Sequence, residues 1–286
     1  MKIAFLGTGL MGGLMAKRLI QKGFDVTVYN RTPSKTESLK AQGAKVALKP
    51  YEAINKCDVI ILMVADYNAV SALLFGEKLS FENKIVIQMS TIGSNESLVV
   101  KDKIEQSGGE YIEAPVLGGI AQIPAGQLIP MVGSTVEQFN KWKEFLKNFG
   151  ESVYYIGKVG KAASAKLACN QLIATMITSF AMSLAYIRSE GIDVETFMKI
   201  IRPSAYYAPA YDRKLENMTN HDYTNTNFSL KNLLKDVILA EDEFSKNGVD
   251  VTTLNSVSEI LKEGIRKDLS DLDYSALYEV IRFENK

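Results

Sequence analysis

The chain has 286 residues, 47% apolar and 23% charged, a globular balance that excludes a collagen, a coiled-coil rod and a disordered chain. Lys and Arg number 33, as do Asp and Glu, so the basic excess of a general nucleic-acid binder is absent. The two cysteines, Cys57 and Cys169, have neither metal-site spacing nor the density of a disulfide scaffold, and no uninterrupted apolar run reaches the roughly 18 residues that span a bilayer. With a start that runs directly into a glycine motif rather than a signal peptide, these features lead us to expect a soluble cytoplasmic protein without a nucleic-acid or membrane partner.

Taken in order, Ile3–Leu6 is an apolar strand, and Leu10–Lys22 has helical spacing up to Gly23, a good C-terminal stop. Val26–Tyr29 is β-rich, and Thr32-Pro33 opens a further helix. Val59–Val64 is apolar throughout, as a strand buried on both faces of a parallel sheet must be, and Ile85–Met89, interrupted only by Gln88, reads as another. A helix from Ser94 to about Ser107 comes next, then strands at Tyr111–Ala114, Leu128–Val132 and Val153–Ile156. Thr135 with Gln138 reads as a capping box for a helix through Phe149. From about Gly160 onward no strand is expected. Ala162–Ser189 is one long helix, succeeded by helices near Asp193–Ile201, Pro209–Met218, Leu230–Lys246, Leu254–Ile265 and Tyr274–Phe283. The expected fold is α/β: a Rossmann-type dinucleotide-binding domain over residues 1–160, then an all-helical domain over 161–286, joined by the long helix.

Gly7-Thr8-Gly9-Leu10-Met11-Gly12 comes directly after the first strand and opens the first helix, the context in which a G-x-G-x-x-G carries meaning. Gly7 permits the turn, Gly9 lets the backbone approach a pyrophosphate, and Gly12 lets helix and strand pack. The helix start then offers amides and a positive dipole end to phosphates. A methyltransferase is a competing reading that the motif fits less well. NAD binders carry Asp or Glu at the end of the second strand to accept from the ribose. Here the strand ends Tyr29-Asn30-Arg31-Thr32. A neutral Asn30 and the guanidinium of Arg31 suit a 2′-phosphate, so the expected cofactor is NADP(H), with NAD as the alternative.

With these motifs the chain resembles the β-hydroxyacid dehydrogenase family, relatives of 3-hydroxyisobutyrate dehydrogenase and glyoxylate/succinic semialdehyde reductase. The resemblance runs the whole length, with motifs in family order. It covers the glycine start including Met11, Asn30-Arg31-Thr32, Met63-Val64 beside the cofactor, and Ser90-Thr91 by the nicotinamide. Glu113-Ala114-Pro115-Val116-Leu117-Gly118-Gly119 is similar to the family's substrate loop. Gly157-Lys158-Val159-Gly160 and then Lys166-Leu167-Ala168-Cys169-Asn170 resemble the stretch with the catalytic lysine, and Phe228, Lys235-Asp236 and Asp271–Ala276 resemble the C-terminal motifs. The resemblance implies that Lys235 reaches the cofactor and Asp236 lines the active site. It also implies substrate contacts from Thr91, Leu117, Gly118, Gly119, Asn170 and Phe228. Leu117 departs from the family's usual serine, which helps bind the substrate carboxylate, leaving only the backbone of Gly118 and Gly119 there.

Reducing a carbonyl takes a hydride from the nicotinamide and a proton for the oxygen. The single histidine, His221, lies in a polar stretch and reads as a solvated loop residue. Lys166 sits in a small-residue helical run at the expected domain junction, where burial would lower its pKa towards neutrality. By pattern alone it is equally a lysine that snorkels to solvent; the family match makes it the general acid/base. Asn170 shares its helix face. Thr91 offers a hydroxyl to carboxamide or substrate, or caps a helix. Tyr206, Tyr207 and Tyr211 read as packing residues first and pocket residues second.

The expected activity interconverts a small aldehyde or keto acid, glyoxylate or succinic semialdehyde first, with its hydroxy acid. The alternatives are 3-hydroxyisobutyrate or L-serine oxidation, imine reduction, and an NADPH-binding scaffold without turnover. Family likeness implies a homodimer or homotetramer.

Overall fold

Alternate residues of the first strand, β1 (Lys2–Leu6), enter different apolar cores. Ile3 and Phe5 face one and Ala4 and Leu6 the other. The computed structural model describes residues 1–77 and 79–282. In chain order there come α1 (Leu10–Gln21), β2 (Asp25–Tyr29), α2 (Glu37–Lys40), β3 (Lys45–Val46) and α3 (Pro50–Lys56). Next are β4 (Val59–Leu62), α4 (Tyr67–Phe75), β5 (Ile85–Gln88), α5 (Ser94–Gln106) and β6 (Glu110–Glu113). Then β7 (Val116–Leu117), β8 (Ile129–Gly133), α6 (Val136–Leu146) and β9 (Tyr154–Gly157) complete the sheet.

The sheet runs β3-β2-β1-β4-β5-β6-β8-β7, with β9 paired to β8. The strands from β1 to β6 are parallel, in the order of a doubly wound dinucleotide fold. Every residue of β4 is buried, Val59 and Ile61 on one face and Ile60 and Leu62 on the other, which is why that run is apolar throughout. The order reverses between β1 and β4, so their C-terminal ends flank the crevice where such sheets bind ligands.

Several expectations need correction. Thr32-Pro33 opens only a 3₁₀ turn, Pro33–Thr36, before the four-residue α2. The strand expected at Leu128–Val132 is present as β8, one residue later at each end, and it runs antiparallel to β6 and β7. The two-residue strands β3 and β7 carry no readable period, and the short helices α3 and α4 lie where the sequence reading places no element. The capping box is real: the Gln138 amide donates to Thr135 Oγ1 at 3.2 Å and the Thr135 amide to Gln138 Oε1 at 3.1 Å. Its helix ends at Leu146 rather than Phe149.

The helical half holds α7 (Lys161–Ser189), α8 (Val194–Ile201), α9 (Pro209–Asn220), α10 (Leu230–Lys246), α11 (Thr252–Arg266) and α12 (Tyr278–Ile281). The helix expected over Tyr274–Phe283 is a 3₁₀ turn, Tyr274–Leu277, running into α12; Phe283 lies outside the described residues. Among the described residues no strand comes after β9. His221 is exposed, as expected, and sits just after α9 as its left-handed C-cap, with its Nδ1 2.6 Å from Glu279 Oε1. Tyr211 stacks on Phe180 at 4.4 Å, and the Tyr207 hydroxyl donates to Asp212 at 2.6 Å, so both serve packing; Tyr206 is exposed.

The chain divides into two compact units, Met1–Lys166 and Leu167–Lys286, the division falling inside α7. In the second unit Leu167, Ala174, Ile177, Ala181 and Leu184 of α7 pack into one core with α10 and α11. By length and composition α7 is apolar enough to cross a membrane, with an 18-residue window of mean hydropathy 1.4, but that window is 44% buried inside the protein. The core helix of a globular unit has the same character.

Candidate active site

The β1–α1 turn brings Gly7 to φ +97°, a conformation that costs a side chain dearly. A Cβ on Gly7 would also strike Met63 O and Val64 Cγ1, and one on Gly12 would strike Gly7 O and approach the Phe5 ring at 3.2 Å. These glycines are thus what lets the start of α1 lie against the ends of β1 and β4. A Cβ on Gly9 would meet nothing within 4 Å, so that backbone faces open space. No side chain caps α1, and its first turn holds no acidic residue. Its amides and positive dipole end therefore suit a phosphate.

Beside this turn lies a groove of about 320 Å³, lined by Thr8, Gly9, Leu10 and Leu14 and by two cations, Lys17 and Lys35. Thr8 is buried and donates from Oγ1 to the Lys35 carbonyl at 3.0 Å. The donor set fits a dinucleotide: bare amides for pyrophosphate and ammonium groups for further phosphate charge. Asn30 folds its side chain back on its own turn, Oδ1 accepting from the Thr32 amide at 2.9 Å, and Arg31 is exposed. Met63 and Val64 are half-buried at the end of β4, where the Val64 amide donates to Ser90 Oγ at 2.8 Å. Thr91 is half-buried. It does not cap α5; Gly93 is the N-cap, and its amide donates to Glu96 Oε2 at 2.8 Å.

Leu117 is half-buried in β7 opposite Ile129. Gly118 is exposed at φ +116°, against Leu128. The Gly119 amide, expected to be open to a ligand, already donates to Gln122 Oε1 at 2.9 Å. The loop after β7 thus satisfies part of its own backbone.

In α7, Lys166 is half-buried and Asn170, one turn on, is buried. Asn170 donates through Nδ2 to Asp236 Oδ2 of α10 at 2.5 Å. Asp236 is 2% exposed, and its Oδ1 pairs with Lys235 Nζ at 2.7 Å. Phe228 packs against Tyr274, ring centroids 6.0 Å apart, and its carbonyl accepts from the Tyr274 amide at 2.9 Å. Two groups of expected residues are therefore assembled: Gly7–Gly12 with Met63 and Val64 in the first unit, and Asn170 with Lys235 and Asp236 in the second.

Residue patterns single out neither Lys17 nor Lys35, and they give Glu113 only as part of the segment similar to the family's substrate loop. Lys35 had a signal, a second cation close behind Arg31. Glu113 had one as well, a carboxylate ending an otherwise buried strand. Burial pushes its carboxyl above the usual carboxylate range, against hydrogen bonds from Ser97 Oγ and the amides of Ala163, Ala162 and Gly160.

A parallel sheet with this strand order and a bare glycine turn at its reversal defines a dinucleotide-binding protein. The family model for the NAD-binding domain of 6-phosphogluconate dehydrogenase matches residues 2–157, and that for the NAD-binding domain of NADP-dependent 3-hydroxyisobutyrate dehydrogenase matches 160–281. Glyoxylate/succinic semialdehyde reductase 1 of Arabidopsis thaliana is 32% identical over the full length of both chains. Mouse mitochondrial 3-hydroxyisobutyrate dehydrogenase is 29% identical over 99% of this chain and 87% of its own. The solved structure of 3-hydroxyisobutyrate dehydrogenase from Mycobacterium tuberculosis with L-serine superimposes with a TM-score of 0.86, at 24% identity and 99% coverage of both chains. The chain belongs to the β-hydroxyacid dehydrogenase family, and it is an NAD(P)-dependent oxidoreductase.

Proposed function

We propose that the protein uses NADPH to reduce a small aldehyde or keto acid, glyoxylate or succinic semialdehyde first, to its hydroxy acid. When bound, the nicotinamide supplies the hydride. The observation that carries the reading is the Asn170–Asp236 bond, which fixes the helix face that Lys166 shares one turn earlier. Lys166 is the general acid, giving its Nζ proton to the carbonyl oxygen as it gains charge, and taking it back in the oxidative direction. Asn170, Asp236, Phe228, Thr91 and the Leu117–Gly119 segment are assigned to the substrate, and Gly7–Gly12, Asn30–Thr32, Met63, Val64 and Lys235 to the cofactor. The full-length likeness to the Arabidopsis reductase supports the choice of first substrates.

NADP preference is supported by Asn30, Arg31 and the nearby Lys35, where no carboxylate stands to repel a 2′-phosphate. We further propose a cytoplasmic homodimer or homotetramer, built through the helical unit. Leu172, Met182 and Tyr186 of α7 are 60%, 56% and 65% exposed, an apolar surface that suits a second copy. A monomeric mass by light scattering would refute that assembly.

The test of the main reading is a panel of small carbonyl acids assayed by nicotinamide absorbance, with NADPH and NADH in parallel and Lys166→Ala as control. Turnover of glyoxylate or succinic semialdehyde is expected with NADPH. The variant should bind NADPH normally and lose about 10²–10⁴-fold in kcat. A silent panel, or a fully active variant, overturns the proposal.

A further inference from the structure

The amides that open α7 converge on one carboxylate. Gly160 N and Ala162 N donate to Glu113 Oε1 at 2.8 Å each, and Ala163 N at 3.2 Å. Lys161 N donates to the Lys158 carbonyl at 3.1 Å, and the first intrahelical bond runs from Ser164 N to Gly160 O at 3.0 Å. Every amide from Gly160 to Ser164 is thereby satisfied. Helix starts are usually capped by a neighbouring Ser, Thr, Asp or Asn that satisfies one amide. Here the acceptor comes from another element, the last residue of β6, and serves three.

Glu113 is held as firmly as it holds. It is 1% exposed, and its Oε2 accepts from Ser97 Oγ in α5, which lies 2.9 Å from the Tyr111 hydroxyl. Opposite it in the sheet is Gly133, where a Cβ would stand 2.7 Å from Glu113 Cγ. Ordering a carboxylate away from water is costly unless donors surround it. These donors are four, and the helix dipole adds to them.

A helix is stiff over one turn, so fixing its first amides also fixes the turn after them. Lys166 lies four residues after Ala162 and three after Ala163 on the same helix. The end of β6 belongs to the same C-terminal edge of the parallel strands as the Gly7–Gly12 turn and Met63–Val64. We infer that Glu113 is a positioning residue: by tying the first turn of α7 to the end of β6, it sets where Lys166 presents its amine. The inference rests on Lys166 being the proton donor. Glu113 acts through that lysine and not by touching substrate or cofactor.

The experiment compares Glu113→Gln and Glu113→Asp in the full chain, alone and combined with Lys166→Ala, reading kcat, KM, NADPH affinity and melting temperature. Gln keeps an acceptor oxygen at the same reach; Asp keeps the charge but withdraws the oxygen by one methylene. Glu113→Gln should hold kcat within about threefold. Glu113→Asp should lose about 30-fold or more in kcat, the scale set by an ångström of misplacement, with NADPH affinity close to that of the Gln variant. On the Lys166→Ala background the Asp substitution should cost nothing further, because both act through the same amine. Equal kcat in the two variants, an additive loss in the double variant, or a kcat loss that merely tracks melting temperature and NADPH affinity would each overturn the inference. Full activity of Lys166→Ala alone would instead remove the donor assignment, a separate result.

Discussion

Asn170 of α7 and Asp236 of α10, 66 residues apart in the chain, are joined by a 2.5 Å hydrogen bond between buried side chains. Asp236 also forms an ion pair with Lys235, Oδ1 lying 2.7 Å from Lys235 Nζ. Truncating it would strand a buried amide without its acceptor, at about 1–3 kcal/mol. Asp236→Ala is therefore expected to lower the urea midpoint of the second unit clearly. Asp236→Asn keeps an acceptor oxygen for Asn170 and should cost less than half as much. Equal losses in the two variants would show that charge, not the hydrogen bond, holds the pair.

The proposed preference for NADPH rests on two adjacent residues, Asn30 and Arg31. Asn30 Oδ1 accepts from the Thr32 amide at 2.9 Å, a contact that aspartate can keep, so Asn30→Asp should leave the turn intact while adding a carboxylate. Arg31→Ala removes the exposed guanidinium. Arg31→Ala should weaken NADPH about tenfold, roughly 1.4 kcal/mol, and leave NADH within twofold. The double variant Asn30→Asp with Arg31→Ala should prefer NADH. Titration by fluorescence at low and high salt checks this, since the wild-type advantage for NADPH should shrink as salt screens an exposed charge.

Legibility in the sequence depends on the length scale of the signal. The apolar runs of β1, β4 and β5, the glycine turn and the long α7 each carry a pattern that sterics alone impose. The β7 and β3 pairs are two residues long and carry none. Thr91 as a cap failed because Gly93, with Glu96 reaching back, took the position two residues later. The Gly119 amide was expected to be open because a sequence does not show that Gln122 folds back on it. The joining of Asn170 to Asp236, and of Glu113 to the start of α7, are long-range pairings between motifs read separately. The motif residues were legible; their partners were not.

Glu279 offers a test by pH. Burial raises its carboxyl, but hydrogen bonds from His221, Tyr223 and Arg282 outweigh that and hold it below the ordinary carboxylate value. A depressed folded pKa contributes stability above the unfolded value, and that contribution is lost as pH falls through the folded one. The bonds link the C-cap of α9 to α12, with Arg282 Nε 2.5 Å from Glu279 Oε2. Glu279→Gln should therefore cost about 1 kcal/mol near neutral pH and progressively less as the pH drops below the usual carboxylate range. Melting curves of both proteins across that range would show the gap closing; a gap constant with pH would contradict the assignment.

Leu117 stands where the family usually carries a serine, in a strand of two residues just before a Gly119 amide that Gln122 already engages. The segment therefore offers a carboxylate one donor fewer than the family pattern does. Leu117→Ser restores a hydroxyl. A contact made equally to the bound substrate and to the transition state changes KM and leaves kcat alone. The variant should lower KM for glyoxylate or succinic semialdehyde about fivefold to tenfold, the worth of about one good hydrogen bond, with kcat within twofold. Losing a half-buried leucine should cost about 1–2 kcal/mol of stability, which calorimetry would register. An unchanged KM at that stability cost would mean that the Leu117 segment does not hold the carboxylate in this protein, and that a less polar carbonyl substrate suits the leucine better.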